Sequence, residues 1–133
     1  MSARYLLDTS AASYAITKKS VIFDRHLVRV PMAELGVSTV TEGELRYRLV
    51  RRPSAPLQAT IETFLLGLTI FSWDSSVAHS YGDLRATLER QGQLLGSLDM
   101  MIAAHALSLR LILVSGDAAF KRIKHLKVED WTK

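Results

Sequence analysis

The fold of this chain is decided by residues 96–120, which read GSLDMMIAAHALSLRLILVSGDAAF. This stretch predicts a helix, then a strand, then a turn that opens another helix. Ser97 is the expected N-cap of the first helix. That places Asp99 in the first turn, where free backbone N–H groups and the helix dipole favour an ionised carboxylate. Residues 111–114 are continuously apolar, as is typical of a strand buried on both faces. Asp117 follows that strand, and sites in open α/β sheets lie just beyond such strand ends.

The composition limits the class of protein. The 133 residues predict a single domain over residues 1–133, long enough to bury a substantial core. No cysteine is present, which excludes a disulfide scaffold and a Cys-ligated zinc site. The chain offers no signal-peptide pattern and no long apolar span, so a cytoplasmic protein without a membrane is expected. The net charge of +4 is compatible with a nucleic-acid partner.

Short apolar runs alternate with helical patterns along the chain. Strands are predicted at residues 4–7, 37–40, 69–71, 111–114 and 126–128. Helices are predicted after Thr9 or Ser10, over residues 21–30, 41–50 and 57–68, and after Ser75 or Ser76. This alternation favours an α/β fold with a parallel sheet that helices cover on both faces.

Four carboxylates occupy positions that a parallel sheet would gather. Asp8 ends the first predicted strand, Glu44 lies one turn into the helix after the second, and Asp117 follows the fourth. Asp99 opens the helix that leads into the fourth strand. Carboxylates that converge at one edge repel each other unless a cation binds, and hard oxygen ligands suit Mg²⁺ or Mn²⁺. Such an ion activates water and stabilises charge on a phosphoryl group.

Each of these acids also has a purely structural interpretation. Residues 41–44, TEGE, fit a capping box in which Glu44 bonds the start of its own helix. Asp8 and Asp117 are able to cap the segments that follow them, and Asp99 compensates a helix dipole. Glu42 competes with Glu44, because their side chains differ by about 200° around a helix. The apolar periodicity leaves that choice open.

The histidines and the basic residues carry weaker signals. None of the four histidines has a partner at metal-ligand spacing, so structural or surface roles are expected for His105 and the others. Basic residues are concentrated in 18–19, 46–52 and 121–124. These runs are ordinary solvated faces unless they flank the acidic edge, where they become candidate phosphate contacts.

Several segments, taken in order, resemble the PIN domain and specifically the VapC-type toxin ribonucleases. The matching segments are LLDTS (6–10), VSTVTEGEL (37–45), LDMMIAAHA (98–106), LVSGDAAF (113–120) and LKVEDW (126–131). No single segment is specific, but the ordered set covers the chain from end to end.

The resemblance implies a sheet of order 3-2-1-4-5 with helices on both faces. It also implies a Mg²⁺- or Mn²⁺-dependent endoribonuclease whose metal ligands and catalytic residues are Asp8, Glu44, Asp99 and Asp117. The implied partners are an RNA substrate, a VapB-type antitoxin that inhibits the enzyme, and a second copy of the chain in a homodimer.

The resemblance selects one of the two competing glutamates, and it shows one departure from the family's usual sequence. The family's acid stands immediately before the leucine, here Leu45, which selects Glu44 over Glu42. The family commonly has Asn where this chain has Ser10, and a hydroxyl replaces only part of the hydrogen bonding of an amide. The resemblance therefore leaves the metal ligands intact and questions only the orientation of Asp8.

Other functional classes fit the sequence less well. A receiver-like signalling domain needs a Lys after a late strand, whereas the strand end at residues 114–117 reads VSGD. No GxxxxGK sequence is present, so a nucleotide-hydrolysing P-loop is not supported. A catalytically silent PIN fold that only binds RNA or protein remains as an alternative, and the presence of all four acids counts against it.

Overall fold

The computed structural model describes residues 2–133. The strands are β1 (Tyr5–Leu7), β2 (Leu35–Ser38), β3 (Thr69–Phe71), β4 (Ile112–Val114) and β5 (Val128–Glu129). The α-helices are α1 (Thr9–Thr17), α2 (Val21–Leu27), α3 (Thr39–Arg51), α4 (Ala55–Gly67), α5 (Ser75–Arg90) and α6 (Ser97–Leu109). Short 3-10 helices occur at Met32–Glu34 and Ala118–Arg122.

The five strands form one parallel sheet in the order β3-β2-β1-β4-β5. This confirms the predicted fold class and strand order. The central strand β1 pairs with β2 on one side and with β4 on the other. Because the strands are parallel, the residues that follow them reach the same edge of the sheet.

Alternate residues of β1 face two separate hydrophobic cores. Leu6 packs with buried residues of α5 and α6, such as Leu88 and Ile102. Leu7 lies in the core on the opposite face, which includes Leu45 of α3. Each of these side chains is at most 1% exposed, and burial of one leucine contributes about 1.5–3 kcal/mol. Among residues 2–133, no helix has both the length and the apolar character needed to cross a membrane.

The boundary between β2 and α3 lies two residues earlier than predicted. The Ser38 hydroxyl accepts a hydrogen bond from the Val40 N–H at 3.0 Å and caps α3. The strand therefore ends at Ser38 rather than at residue 40. Thr41 lies inside the helix, so the capping box predicted for residues 41–44 does not form.

Carboxylates cap both α1 and α5. Capping by Asp8 was one of the structural interpretations of that residue, whereas a serine was predicted as the cap of α5. Asp8 caps α1 by accepting the Ala11 N–H at 2.7 Å, and Asp74 caps α5 by accepting the Val77 N–H at 3.2 Å. An aspartate at a strand end has the extended backbone that an N-cap needs, and its carboxylate accepts well.

Three further boundaries and the type of one helix differ from the sequence predictions. Gly96 is the N-cap of α6 and makes no side-chain capping bond, so Ser97 is the first helical residue. The helix α2 ends at Leu27 instead of residue 30. The last strand starts at Val128 instead of residue 126, and the helix predicted after Asp117 is a 3-10 turn. None of these shifts moves Asp99 out of the first turn of α6.

Candidate active site

The acidic edge begins with Asp8, which directly follows the central strand. Its backbone N–H donates to the Val114 carbonyl at 3.1 Å, which joins the ends of β1 and β4. The side chain is 5% exposed, so its carboxylate is largely removed from water. Burial is the main cause that raises the pKa of Asp8, and the Asp99 and Asp117 carboxylates add to the rise. The Ser115 hydroxyl and the Ala11 N–H oppose it by stabilising the charged form.

Asp99 lies in the first turn of α6 and is partly buried. Burial raises its pKa, followed by the charges of Asp117 and Glu44. Asp99 therefore interacts electrostatically with each of the other three candidate residues, since it also raises the pKa of Asp8. The four carboxylates predicted from the sequence are thus brought into one electrostatic group.

The structure separates Glu44 from Glu42. The Thr9 hydroxyl donates to Glu44 Oε1 at 2.5 Å, and Thr9 Oγ1 lies 3.2 Å from Thr41 Oγ1. Glu42 instead pairs with Arg46 at 3.9 Å, within the same helix. Of the two glutamates, only Glu44 contributes to the electrostatic environment of Asp99.

Asp117 lies in the turn after β4, where it has both a structural and an electrostatic role. Its Oδ1 accepts the Ala119 N–H at 2.9 Å, which is the capping role that the sequence allowed. Its own backbone N–H donates to Ser115 Oγ at 3.0 Å. Ser115 is 2% exposed and links the turn to Asp8.

A buried pair lies beneath these residues. His105 of α6 is 1% exposed, and its Nδ1 lies 2.9 Å from Ser38 Oγ. The same Ser38 hydroxyl oxygen accepts the Val40 N–H, so it joins the histidine ring to the first turn of α3. Burial lowers the pKa of His105, whereas Asp74 and a hydrogen bond with the Ser72 backbone raise it. His105 therefore ties α6 to the start of α3, and its predicted structural role is confirmed.

The four carboxylates fit a hard divalent cation by their chemistry. Oxygen ligands of this type suit Mg²⁺ and Mn²⁺, and burial together with mutual repulsion already raises the pKa of Asp8 and Asp99. As the side chains stand, no three His, Asp or Glu residues in 2–133 are grouped closely enough to hold an ion. Three of the carboxylates accept hydrogen bonds from the protein: Asp8 from Ala11, Glu44 from Thr9 and Asp117 from Ala119. Metal binding would exchange some of these donors for the ion.

Two hydroxyl residues of the site were missed by the sequence reasoning. Thr9 was considered only as a helix cap, yet it holds Glu44 and contacts Thr41. Ser115 was not singled out, although it stabilises the charged form of Asp8. Thr9 directly follows Asp8 and Ser115 stands two residues before Asp117, which is the one signal in the sequence that marks them. Ser10, the position where the family has Asn, is exposed in the first turn of α1.

Comparison with known proteins gives consistent results over nearly the whole chain. A family model described as "PIN domain" matches residues 5–126. The chain is 36% identical over 132 residues to the ribonuclease VapC2 of Haemophilus influenzae, with 96% of this chain and 98% of that protein covered. It is 33% identical over 132 residues to the tRNA(fMet)-specific endonuclease VapC of Shigella flexneri, with 97% and 98% covered.

Solved structures agree with these matches. The chain superposes with a TM-score of 0.87 on a protein in the crystal structure of VapBC2 from Rickettsia felis bound to a DNA fragment from their promoter. The sequence identity is 30%, and the match covers 94% of this chain and 96% of that chain.

Proposed function

Because the chain belongs to the PIN-domain family and is an endoribonuclease of the VapC toxin type, we propose that Asp8, Glu44, Asp99 and Asp117 form its active site. The observation that carries this proposal is the placement of the acids: Asp8 and Asp117 follow the paired strands β1 and β4, and Asp99 lies in the first turn of α6. Burial is the main cause that raises the pKa of Asp8 and of Asp99, and neighbouring carboxylates of the group add to both shifts. A protein gains nothing in stability from clustering like charges, so a bound cation and a substrate are the natural explanation.

The proposed cofactor is Mg²⁺ or Mn²⁺, on which PIN-domain ribonucleases generally depend. Asp8 and Asp99 would hold the principal ion, and Glu44 and Asp117 would complete its site directly or through water. When bound, the ion supplies an activated water and offsets negative charge on the scissile phosphate.

The protein's own contribution is to orient these carboxylates. The Ala11 N–H holds Asp8 and the Thr9 hydroxyl holds Glu44, while the Ser115 hydroxyl favours the charged form of Asp8. His105 is buried and bonded to Ser38, so its imidazole does not face the substrate as a base. His105 is therefore not the general base of the proposed reaction.

The proposed substrate is RNA in the cytoplasm, and transfer RNA is the first class to test because one relative is named for it. Purified protein is incubated with total cellular RNA and with isolated tRNA, in Mg²⁺ and in EDTA. We expect a discrete cleavage product with Mg²⁺ and none with EDTA. Intact RNA under both conditions, with folded protein, would favour the catalytically silent alternative.

An antitoxin of the VapB type is the proposed protein partner, and an apolar groove offers it a docking surface. The groove lies between α1, α2 and α4, has a volume of about 420 Å³, and is lined by Ile16, Leu27, Met32, Ala59 and Phe64 among others. Met32 is 41% exposed, so part of this surface faces water in the isolated chain. The solved relatives are complexes named VapBC, which is why we assign the groove to the antitoxin.

The antitoxin assignment is tested by blocking the groove. Ala59→Arg places a long side chain in it and should weaken antitoxin binding at least tenfold without changing RNA cleavage. Ala86→Arg, on the exposed face of α5, makes the same change elsewhere and should bind normally. Equal binding by both variants, measured by titration calorimetry, would remove the groove from the proposal.

A homodimer is also proposed, on the basis of the family and of the apolar side chains of α4. Leu66 of α4 is 86% exposed. Light scattering at micromolar concentration should give twice the mass of 14.8 kDa. A monomer under those conditions would contradict the dimer but not the nuclease activity.

A further inference from the structure

A groove runs away from the acidic site along α1 and the end of α3. It consists of two shallow cavities of about 450 and 380 Å³ that share Thr9 and Arg48 in their walls. The first cavity is also lined by Glu44, and the Thr9 hydroxyl donates to that same carboxylate. The groove is therefore continuous with the proposed active site.

Cationic side chains line this groove without acidic partners. Arg48, Arg51 and Arg52 line the first cavity, and Lys19 lines the second. Within residues 2–133 none of the four forms an ion pair. Arg48 is held by Ser13, because its Nη2 donates to the serine hydroxyl at 2.5 Å.

Arg46 of the same helix shows the opposite arrangement. Its guanidinium pairs with Glu62 and with Glu42, and it does not line the groove. The basic run of α3 is thus divided between one arginine that fastens α3 to α4 and three that face the groove. The helix dipole alone would favour cations at the carboxyl end of α3, but it would not explain aromatic side chains among those cations.

Two tyrosines lie among the cations. Tyr47 lines the first cavity and is 63% exposed, and Tyr14 lines the second and is 36% exposed. Exposed aromatic rings beside cations are the surface that single-stranded nucleic acids use, with bases stacked on rings and phosphates on the charges. An acidic peptide would need only the cations, so the two tyrosines favour a nucleic acid as the occupant.

We propose that this groove binds a single-stranded segment of the RNA next to the scissile phosphate. Arg51 and Arg52 contact its phosphates, Tyr47 stacks on a base, and Arg48, fixed by Ser13, sets the position of the strand relative to Glu44. The proposal rests on the proposed ribonuclease function and adds the path of the substrate. It predicts that the enzyme selects an unpaired stretch of RNA, such as a loop, over a duplex.

The phosphate contacts are tested with three single variants, each of which removes one positive charge. Arg51→Ala and Arg52→Ala should each raise KM for RNA cleavage roughly tenfold, with kcat little changed. Each should also lower the slope of log affinity against log salt by about 0.7, measured on RNA binding without cleavage in EDTA. Arg46→Ala is the matched control and should leave both quantities unchanged.

The stacking contact is tested at Tyr47. Tyr47→Ala should weaken RNA binding roughly tenfold or more, whereas Tyr47→Phe keeps the ring and should bind almost normally. A duplex of the same sequence should compete poorly with the single strand for the unaltered chain.

The outcomes separate this proposal from the function on which it rests. If the unaltered chain cleaves RNA and the Arg51, Arg52 and Arg46 variants have the same KM and salt slope, the groove is not the RNA path. If Arg51→Ala and Arg52→Ala weaken only antitoxin binding, the groove is a protein-binding surface and the proposal is wrong. If the unaltered chain does not cleave RNA, the proposed function itself fails.

Discussion

At the scale of single residues, Asp8 combines a structural bond with an electrostatic cost. Its carboxylate caps α1, while burial and two neighbouring carboxylates raise its pKa above the ordinary value of 3.8. Asp8→Asn keeps the cap, since Asn caps about as well as Asp, and it removes the buried charge. We expect a higher melting temperature for Asp8→Asn in EDTA at neutral pH, with cleavage abolished.

The pH dependence of that difference follows from the sign of the shift. Since the folded protein binds this proton more tightly than the unfolded chain, Asp8 costs stability as pH rises through its raised pKa. The advantage of Asp8→Asn should therefore be absent in acid below pH 3.8 and largest at neutral pH. Asp8→Ala, which loses the cap, should be about 1 kcal/mol less stable than Asp8→Asn at every pH. Equal stability of Asp8→Asn and Asp8→Ala would contradict the capping role.

The buried His105 predicts the opposite dependence of folding stability on pH. Burial lowers its pKa below 6.5, so the unfolded chain takes up a proton that the folded protein resists. Stability should fall as pH drops below 6.5, and urea midpoints should record a weaker fall in His105→Gln. Ser38→Ala leaves the His105 Nδ1 without its hydrogen-bond partner and removes the cap of α3, at a cost of about 1–3 kcal/mol. A pH profile of His105→Gln parallel to that of the unaltered chain would contradict this account.

At the scale of elements, two glycines respond oppositely to one substitution. A Cβ on Gly36 of β2 would lie 2.5 Å from the Phe71 ring on β3, and that ring packs edge-on against His105. Gly36→Ala should therefore destabilise the protein by about 1–3 kcal/mol. Gly43 lies inside α3 with nothing within 4 Å of the added Cβ, so Gly43→Ala should stabilise it by up to about 1 kcal/mol. Thermal melts of both variants check the pair, and a stabilised Gly36→Ala would contradict the close packing.

The elements also show what the sequence could and could not predict. Alternating apolar runs were sufficient for the parallel α/β class, because strands buried on both faces are continuously apolar. The cap of α3 was missed because Ser38 and Thr41 are equally suitable capping residues, and the choice depends on His105, 67 residues away. The bond from Thr9 to Glu44 was missed for the same reason, since packing of α1 on α3 brings them together.

At the scale of the whole molecule, the positions of the charged residues are more informative than the net charge. The net charge of +4 does not show where the charges lie. The fold places acids at the ends of β1 and β4, and it places at the end of α3 arginines that form no ion pair within residues 2–133. The sequence predicted the acids, because the residues after parallel strands share one edge. It could not assign the arginines, because only tertiary packing separates Arg46 from Arg48, Arg51 and Arg52.

The central claim is that the four carboxylates form a metal-dependent site for RNA cleavage. It is tested most directly by measuring RNA cleavage and melting temperature on the unaltered chain and on Asp99→Asn, each in EDTA and in Mg²⁺. Ligand binding to the folded state alone raises stability, by about 2.7 kcal/mol at a hundredfold excess over Kd. We predict that Mg²⁺ raises the melting temperature and permits cleavage in the unaltered chain. Asp99→Asn should not cleave RNA, and Mg²⁺ should change its melting temperature little. In EDTA it should be at least as stable as the unaltered chain, because removing the Asp99 charge relieves repulsion among the carboxylates. Full cleavage by Asp99→Asn, together with reduced stability in EDTA, would contradict the account.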